Sequence, residues 1–158
     1  MTVETVFIET TIVSYLVANR SRDLVLAAHQ ETTEEWWREC RPHYHCVTSE
    51  EVLREASLGD ATMTRRRAEA LAALPVLSID AQARDLAREL IRTGLLPREA
   101  LSDALHMAVA TRHAVDYLLT WNCRHLANPH LLKRLRVFMA GQKLVLPEIC
   151  TPLELGGD

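Results

Sequence analysis

The chain has 158 residues, 48% of them hydrophobic, and a formal net charge of -3. That is apolar material for one domain over residues 1–158 with its own core, while the charge balance excludes a global electrostatic footprint for nucleic acid. No apolar run reaches the roughly 18 residues of a membrane span, and the opening MTVETVFIE carries neither a basic n-region nor a cleavage site, so a cytoplasmic protein with no membrane partner is expected.

In chain order, Val3 to Glu9 reads as a first strand whose second half is apolar. Thr10 and Thr11 are expected to break it and cap a helix over Ile12 to Val17. After the polar linker Asn19 to Arg22, Asp23 is the N-cap of a helix running to about Cys40, closed by Pro42. His45 to Thr48 forms a second strand, and Ser49 caps a helix holding Glu50, Glu51 and Glu55. Gly59 and Asp60 start a helix to Leu74, Val76 to Ile79 is a third strand, and Asp80 caps a helix to about Arg92 that ends at Gly94. Pro97 fits the first turn of a helix continuing to His113. Asp116 to Thr120 is a fourth strand, Asn128-Pro129 opens another helix, and Val145 to Leu155 adds a short edge strand. Strands alternating with helices predict an α/β fold: a three-layer α/β/α sandwich around a mainly parallel sheet of four to five strands.

Cys40, Cys46, Cys123 and Cys150 show no CxxC spacing, which leaves buried reduced thiols as the expectation. His43, His45 and Cys46 have no matching second half for a zinc site. Arg65 to Arg67, and the looser run Arg124, Lys133, Arg134 and Arg136, read either as phosphate-holding patches or as solvated helix faces.

The chemistry lies in the carboxylates. In a parallel sheet, strand C-termini and the helix starts after them face one crevice. Glu9 ends the first strand directly after the apolar run VFI, where an acid needs a reason. Thr120 and Asn122 end the fourth. Glu55 lies on the helix after the second strand, and Asp103 sits early on its helix with His106 on the same face at i, i+3. Taken singly, Glu51 and Glu55 read as surface glutamates, Asp103 as a helix-start charge favoured by the dipole, and His106 as a packed or supporting histidine. Taken together, several acids in one pocket need a countercharge, which a divalent cation supplies.

These pieces resemble the PIN domain, specifically the VapC-like toxins of type II toxin–antitoxin systems, over nearly the whole chain. The matching stretches are FIETTIVSYL at Phe7 to Leu16, VTSEEVLREA at Val47 to Ala56, DALHMAVA at Asp103 to Ala110 and LLTWN at Leu118 to Asn122. Asn122 stands where that family has Asp, Asn or another small polar residue. Glu9 stands where it usually has Asp, although one branch reads IET here.

The resemblance implies an endoribonuclease that uses Mg2+ or Mn2+ to hydrolyse RNA through an activated water. Glu9, Glu55 and Asp103 would coordinate metal, Asn122 would complete or orient the shell, and Thr10 and Thr120 would give hydrogen-bonding support. It further implies a homodimer and a cognate antitoxin covering the active-site groove. The alternative is a PIN-like RNA-binding or protein-interaction module with weak or lost chemistry, which the departure at Glu9 keeps open. A third is a nuclease acting on single-stranded DNA or flaps.

Overall fold

Short buried runs separated by capped helices give the chain no hairpin, so its strands pair in parallel. A computed structural model describes residues 2–156; the one-domain expectation over 1–158 also takes in Met1, Gly157 and Asp158, which lie outside the described residues. The strands are β1 (Thr5–Ile8), β2 (His45–Ser49), β3 (Val76–Leu77), β4 (Tyr117–Leu119) and β5 (Glu148–Cys150). The helices are α1 (Thr10–Val17), α2 (Leu24–Glu35), α3 (Glu50–Ala56), α4 (Ala61–Leu71), α5 (Ala81–Arg92), α6 (Leu101–Arg112) and α7 (Pro129–Gly141). All strand pairs are parallel, in the order β3-β2-β1-β4-β5.

The order fixes where a site can form. From β1 the chain steps outward through β2 to β3, then crosses back to β4 and continues to β5. Right-handed crossovers in opposite directions place their helices on opposite faces of the sheet. Accordingly α1 packs against α2 and α4, α5 packs along α6, and α3 touches α1, α4 and α6. The reversal between β1 and β4 opens a crevice at their C-terminal ends, the usual ligand position in an open parallel sheet. Val6, Phe7 and Ile8 on β1 and Leu118 and Leu119 on β4 are fully buried beneath it. They give that crevice a rigid apolar floor.

Five of the predicted helix starts are capped as expected. Asp23, Ser49, Asp60, Asp80 and Asn128 each accept a backbone N–H from the first turn of their helix, and Gly94 takes the left-handed φ of 77° that ends α5. Several boundaries differ. The helix expected to run from Asp23 to Cys40 stops at Glu35, passes into a π-helical turn over Trp36–Cys40 and then a 3-10 turn over Arg41–His43. That π turn coincides with the burial of Trp36, whose Nε1 donates to the Leu155 carbonyl at 2.7 Å and ties the C-terminal segment down. Pro97 precedes a 3-10 turn over Arg98–Ala100 rather than lying in α6 itself. The third strand is only two residues long, as befits an edge strand with β2 as its single partner.

Two other expectations are corrected. The cysteines are all free, but only Cys46 and Cys150 are buried; Cys123 is exposed. Thr10 and Thr11 lie inside α1 and do not cap it, because Glu9 holds the N-cap position. Their hydroxyls are used elsewhere.

Candidate metal centre

Glu9 follows the buried end of β1 and is itself 3% exposed. Its Oε1 accepts hydrogen bonds from Thr11 Oγ1 and Thr120 Oγ1, each at 2.5 Å. Those hydroxyls have no freedom to point elsewhere. Thr11 Oγ1 accepts the backbone N–H of Trp121 at 2.8 Å, and Thr120 Oγ1 accepts that of Asn122 at 2.9 Å. With a backbone donor already on each oxygen, each O–H is directed at the carboxylate. Trp121 steadies the arrangement by donating its Nε1 to Thr33 and stacking on His29 with ring centroids 4.2 Å apart.

Glu55 reaches the same place from α3. Its Oε1 accepts from Thr10 Oγ1 and from His106 Nε2, both at 2.6 Å. The two carboxylates therefore follow one pattern, in which Oε1 takes two protein donors and Oε2 accepts no hydrogen bond of ordinary geometry among the described residues; the Ser102 hydroxyl, bonded to Glu51, also lies near enough to Glu55 to help lower its pKa. Ligand atoms of Glu9, Glu55 and His106 all lie within 4.8 Å of one another. His106 is fully buried on α6 beside Phe7, and its Nδ1 has no hydrogen-bond partner among the described residues.

The environments of the two acids push their pKa values apart. Burial raises Glu9, and the nearby charge of Glu55 adds to this, while His106 and the two threonines only partly offset it. Burial also works against Glu55, but the hydrogen bond and charge of His106, with the Thr10 hydroxyl, pull it down to about 2. Glu55 is thus ionised at neutral pH and His106 Nε2 is the donor between them. Burial alone would lower the pKa of His106; its bond to Glu55 and the charge of Glu9 raise it instead.

Of the four residues predicted to form the site, Glu9 and Glu55 bring ligand atoms within 4.8 Å of each other. Asp103 lies one turn before His106 on α6, and its Oδ2 is 3.2 Å from His125 Nδ1. Asn122 sits at the rim, where its Oδ1 accepts the backbone N–H groups of Arg124 and His125 and shapes the turn between them. Of the two threonines expected to give hydrogen-bonding support, Thr120 bonds Glu9 and Thr10 bonds Glu55. Sequence reasoning assigned His106 only a packing or supporting part, and its one visible signal was the i, i+3 spacing from Asp103. Glu51, read as a surface residue, is buried: its Oε1 accepts from Ser102 at 2.7 Å and pairs with Arg54 at 2.6 Å. His125 was not singled out at all.

The donor set fits a divalent cation. Two carboxylates each keep one uncommitted oxygen, an imidazole nitrogen is buried without a partner, and no lysine or arginine pairs with Glu9 or Glu55 among the described residues. Hard cations take such oxygens, and Mn2+ takes nitrogen as well.

The fold is the PIN-domain fold of VapC-type toxins. The VapBC2 complex of Rickettsia felis, solved bound to a DNA fragment from its promoter, superposes with a TM-score of 0.58 at 16% identity, over 93% of this chain and 96% of the neighbour's. Mycobacterium tuberculosis VapC20, a sarcin–ricin loop cleaving toxin, gives a TM-score of 0.58 at 22% identity, over 76% of this chain and 92% of its own. At these identities the likeness is one of fold. No protein-family model and no curated protein matches the sequence.

Proposed function

We propose that the protein is a metal-dependent endoribonuclease and the toxin of a toxin–antitoxin pair. The observation that carries this reading is the convergence of Glu9, Glu55 and His106 at the β1/β4 reversal of a VapC-like fold. Mg2+ or Mn2+ would be held by Glu9 and Glu55 through their free oxygens, with Asp103 and Asn122 contributing from α6 and the end of β4. When bound, such an ion polarises a phosphoryl oxygen and lowers the pKa of a water.

The remaining work belongs to the chain. Thr11 and Thr120 fix the Glu9 carboxylate, and Thr10 fixes Glu55, so their free oxygens hold position without rearrangement during the reaction. Asp103 and His125, both part-exposed and paired with each other, would form the side of the site open to a substrate. Arg124, exposed on the adjoining turn, offers a guanidinium to an RNA phosphate. Local positive charge of this kind serves a nuclease whose overall charge is negative.

The Rickettsia neighbour is itself an assembly with DNA from its own promoter; by likeness, a cognate antitoxin that covers the groove is the expected partner here, with a homodimer as the expected assembly. No helix among the described residues is long and apolar enough to cross a membrane. The deciding experiment is RNA cleavage by the purified protein with Mg2+ or Mn2+, beside Glu55→Ala and Asp103→Ala. Cleavage that needs the metal and disappears in both variants is the expected result. Equal cleavage by all three proteins would remove the reading, and metal-independent RNA binding without cleavage would favour a non-catalytic module.

A further inference from the structure

We propose that Arg54 is a substrate-binding residue of this nuclease, its guanidinium pre-set by Glu51 to receive an RNA phosphate beside the metal centre. The inference rests on the nuclease reading above and adds a cation on the β2 side of the site. Arg124, on the turn after β4, lies on the other side of β1 in the sheet order.

Placement comes first. Glu51, Arg54 and Glu55 are spaced i, i+3 and i+4 on α3 and share one face of the helix. Glu55 carries that face to Thr10 and His106 at the metal centre. Glu51 carries it to the start of α6, where Ser102, the residue before Asp103, donates its hydroxyl to Oε1 at 2.7 Å. The Glu51 carboxylate therefore borders the contact of α3 with α6 from which Glu55 and Asp103 arise. Arg54 is bonded to that carboxylate; it feels the charge of Glu55 only at longer range and forms no bond with it among the described residues.

The second observation is how Arg54 is held. Its Nε lies 3.1 and 3.0 Å from the two Glu51 oxygens, and its Nη2 lies 2.6 Å from Oε1. This fork fixes the plane of the guanidinium, while Nη1 donates to nothing among the described residues. Exposure divides sharply within the pair: the Glu51 side chain is 9% exposed and that of Arg54 56%. The pairs of the same spacing on α5 are different, since Asp85 and Glu89 are 72% and 42% exposed beneath Arg88 and Arg92. Those are ordinary solvated pairs of little energetic weight. Burial works against the charge of Glu51, and Arg54 with Ser102 offsets it. A buried acid under an open guanidinium is a support that holds a functional group in one geometry. The free edge of the fork matches a phosphate, and a site lined with acids needs such cations to admit a polyanion.

The test titrates a short fluorescein-labelled single-stranded RNA with the intact protein, without added metal, over a salt series, and follows its cleavage with Mn2+ in parallel. Arg54→Ala is expected to bind RNA about tenfold more weakly and to lose about 0.7 from the salt slope, the share of one single-strand phosphate contact. In cleavage the loss should fall on KM, with kcat and Mn2+ affinity close to wild type. Arg54→Lys should keep the slope and recover part of the affinity. Because Arg54→Ala strands the Glu51 charge, the double variant Arg54→Ala with Glu51→Gln is the check on folding: it conserves the net charge, keeps an acceptor for Ser102 and should show the same loss. Arg88→Ala, which removes a cation from a solvated pair, should bind as the wild type does. Where metal-free binding is too weak to follow, KM with Mn2+ decides between the same outcomes. Unchanged RNA affinity in both Arg54→Ala proteins, an equal loss in Arg88→Ala, or a fall in Mn2+ affinity matching that for RNA would overturn the role of Arg54 and leave the nuclease reading standing. A wild type that neither binds nor cleaves RNA would overturn both.

Discussion

Replacing Glu9 by Asp introduces the residue that the resemblance to VapC-like toxins makes usual at this position, and the structure predicts that this damages the site. Asp is shorter by one methylene, which withdraws the carboxylate by about 1.2–1.5 Å on ordinary carbon–carbon geometry. Thr11 and Thr120 now hold Oε1 at 2.5 Å each, and neither hydroxyl can follow, because each is anchored by a backbone N–H of the β4 end. Both bonds would stretch well beyond hydrogen-bond range. Two buried hydroxyl donors would be left without their acceptor, and allowing for partial closure of the gap the loss is on the order of 3 kcal/mol. For a domain of this size that lowers Tm by about 6–12 °C. Calorimetric titration should show Mn2+ affinity falling about tenfold or more, in line with the effect of disturbing the groups that orient a ligand. Glu9→Gln is the control: it keeps the reach and the threonine bonds, loses the charge, and should melt at least as high as the wild type without metal. An Asp variant with unchanged Tm and equal or tighter Mn2+ binding would refute the claim that this site is built around the longer side chain.

Thr11→Val keeps the shape of the residue but removes both the donor to Glu9 and the acceptor for the Trp121 N–H, so a loss of about 1–3 kcal/mol in urea unfolding is expected, recovered by Thr11→Ser; failure of Ser to restore it would point to methyl packing instead. The pH dependence follows from the two raised groups. Glu9 and His106 contribute stability that is complete below their unfolded values of 4.5 and 6.5 and is lost as pH rises through their folded values, whereas Glu55, lowered to about 2, contributes stability present above 4.5 and lost only as pH falls toward 2. Metal-free protein should therefore lose Tm as pH rises above 4.5 and further above 6.5, and saturating Mn2+ should cancel the loss; a flat or rising metal-free Tm in thermal melts over that rise contradicts the assignment. Trp36→Phe deletes the donor to the Leu155 carbonyl and should cost about 1–3 kcal/mol by chemical denaturation, with Mn2+ affinity unchanged; a matching fall in affinity would mean that the C-terminal segment reaches the site.

The layering was legible because it depends on local signals. Asp23, Ser49, Asp60, Asp80 and Asn128 each announce a helix start through a side chain that can bond only nearby N–H groups. The π turn at Trp36–Cys40 was not, since a register change within one helix leaves the apolar spacing almost unaltered and its apparent reason, a tryptophan reaching Leu155, lies 119 residues away. Glu9 was legible as an acid after a buried strand. Glu51 was misread because its burial depends on α3 lying against α6, where Ser102 meets it. His106 was half-legible: its spacing from Asp103 is local, but its contact with Glu55 spans 51 residues and needs the crossover from β3 to β4.

The two glutamates differ less in their hydrogen bonds than in what gives those bonds. Each carries two donors on one oxygen, yet one pKa is raised and the other lowered. Glu9 is shielded from water and receives only neutral hydroxyls, so its charge is poorly compensated. Glu55 keeps a side chain 26% exposed and receives an imidazole. Such a divergence assigns different parts to chemically identical groups. Glu55 is a carboxylate at neutral pH and in the proposed site would be the standing anchor for a cation. Glu9 would gain most from a cation's arrival, because the ion would supply the countercharge that the threonines cannot. The length of Glu9 is then coupled to the rest of the site: a long, buried acid is held by hydroxyls whose orientation the backbone after β4 dictates. In the proposed site, an affinity of Glu9 for metal and its reluctance to ionise alone would be two consequences of the same placement.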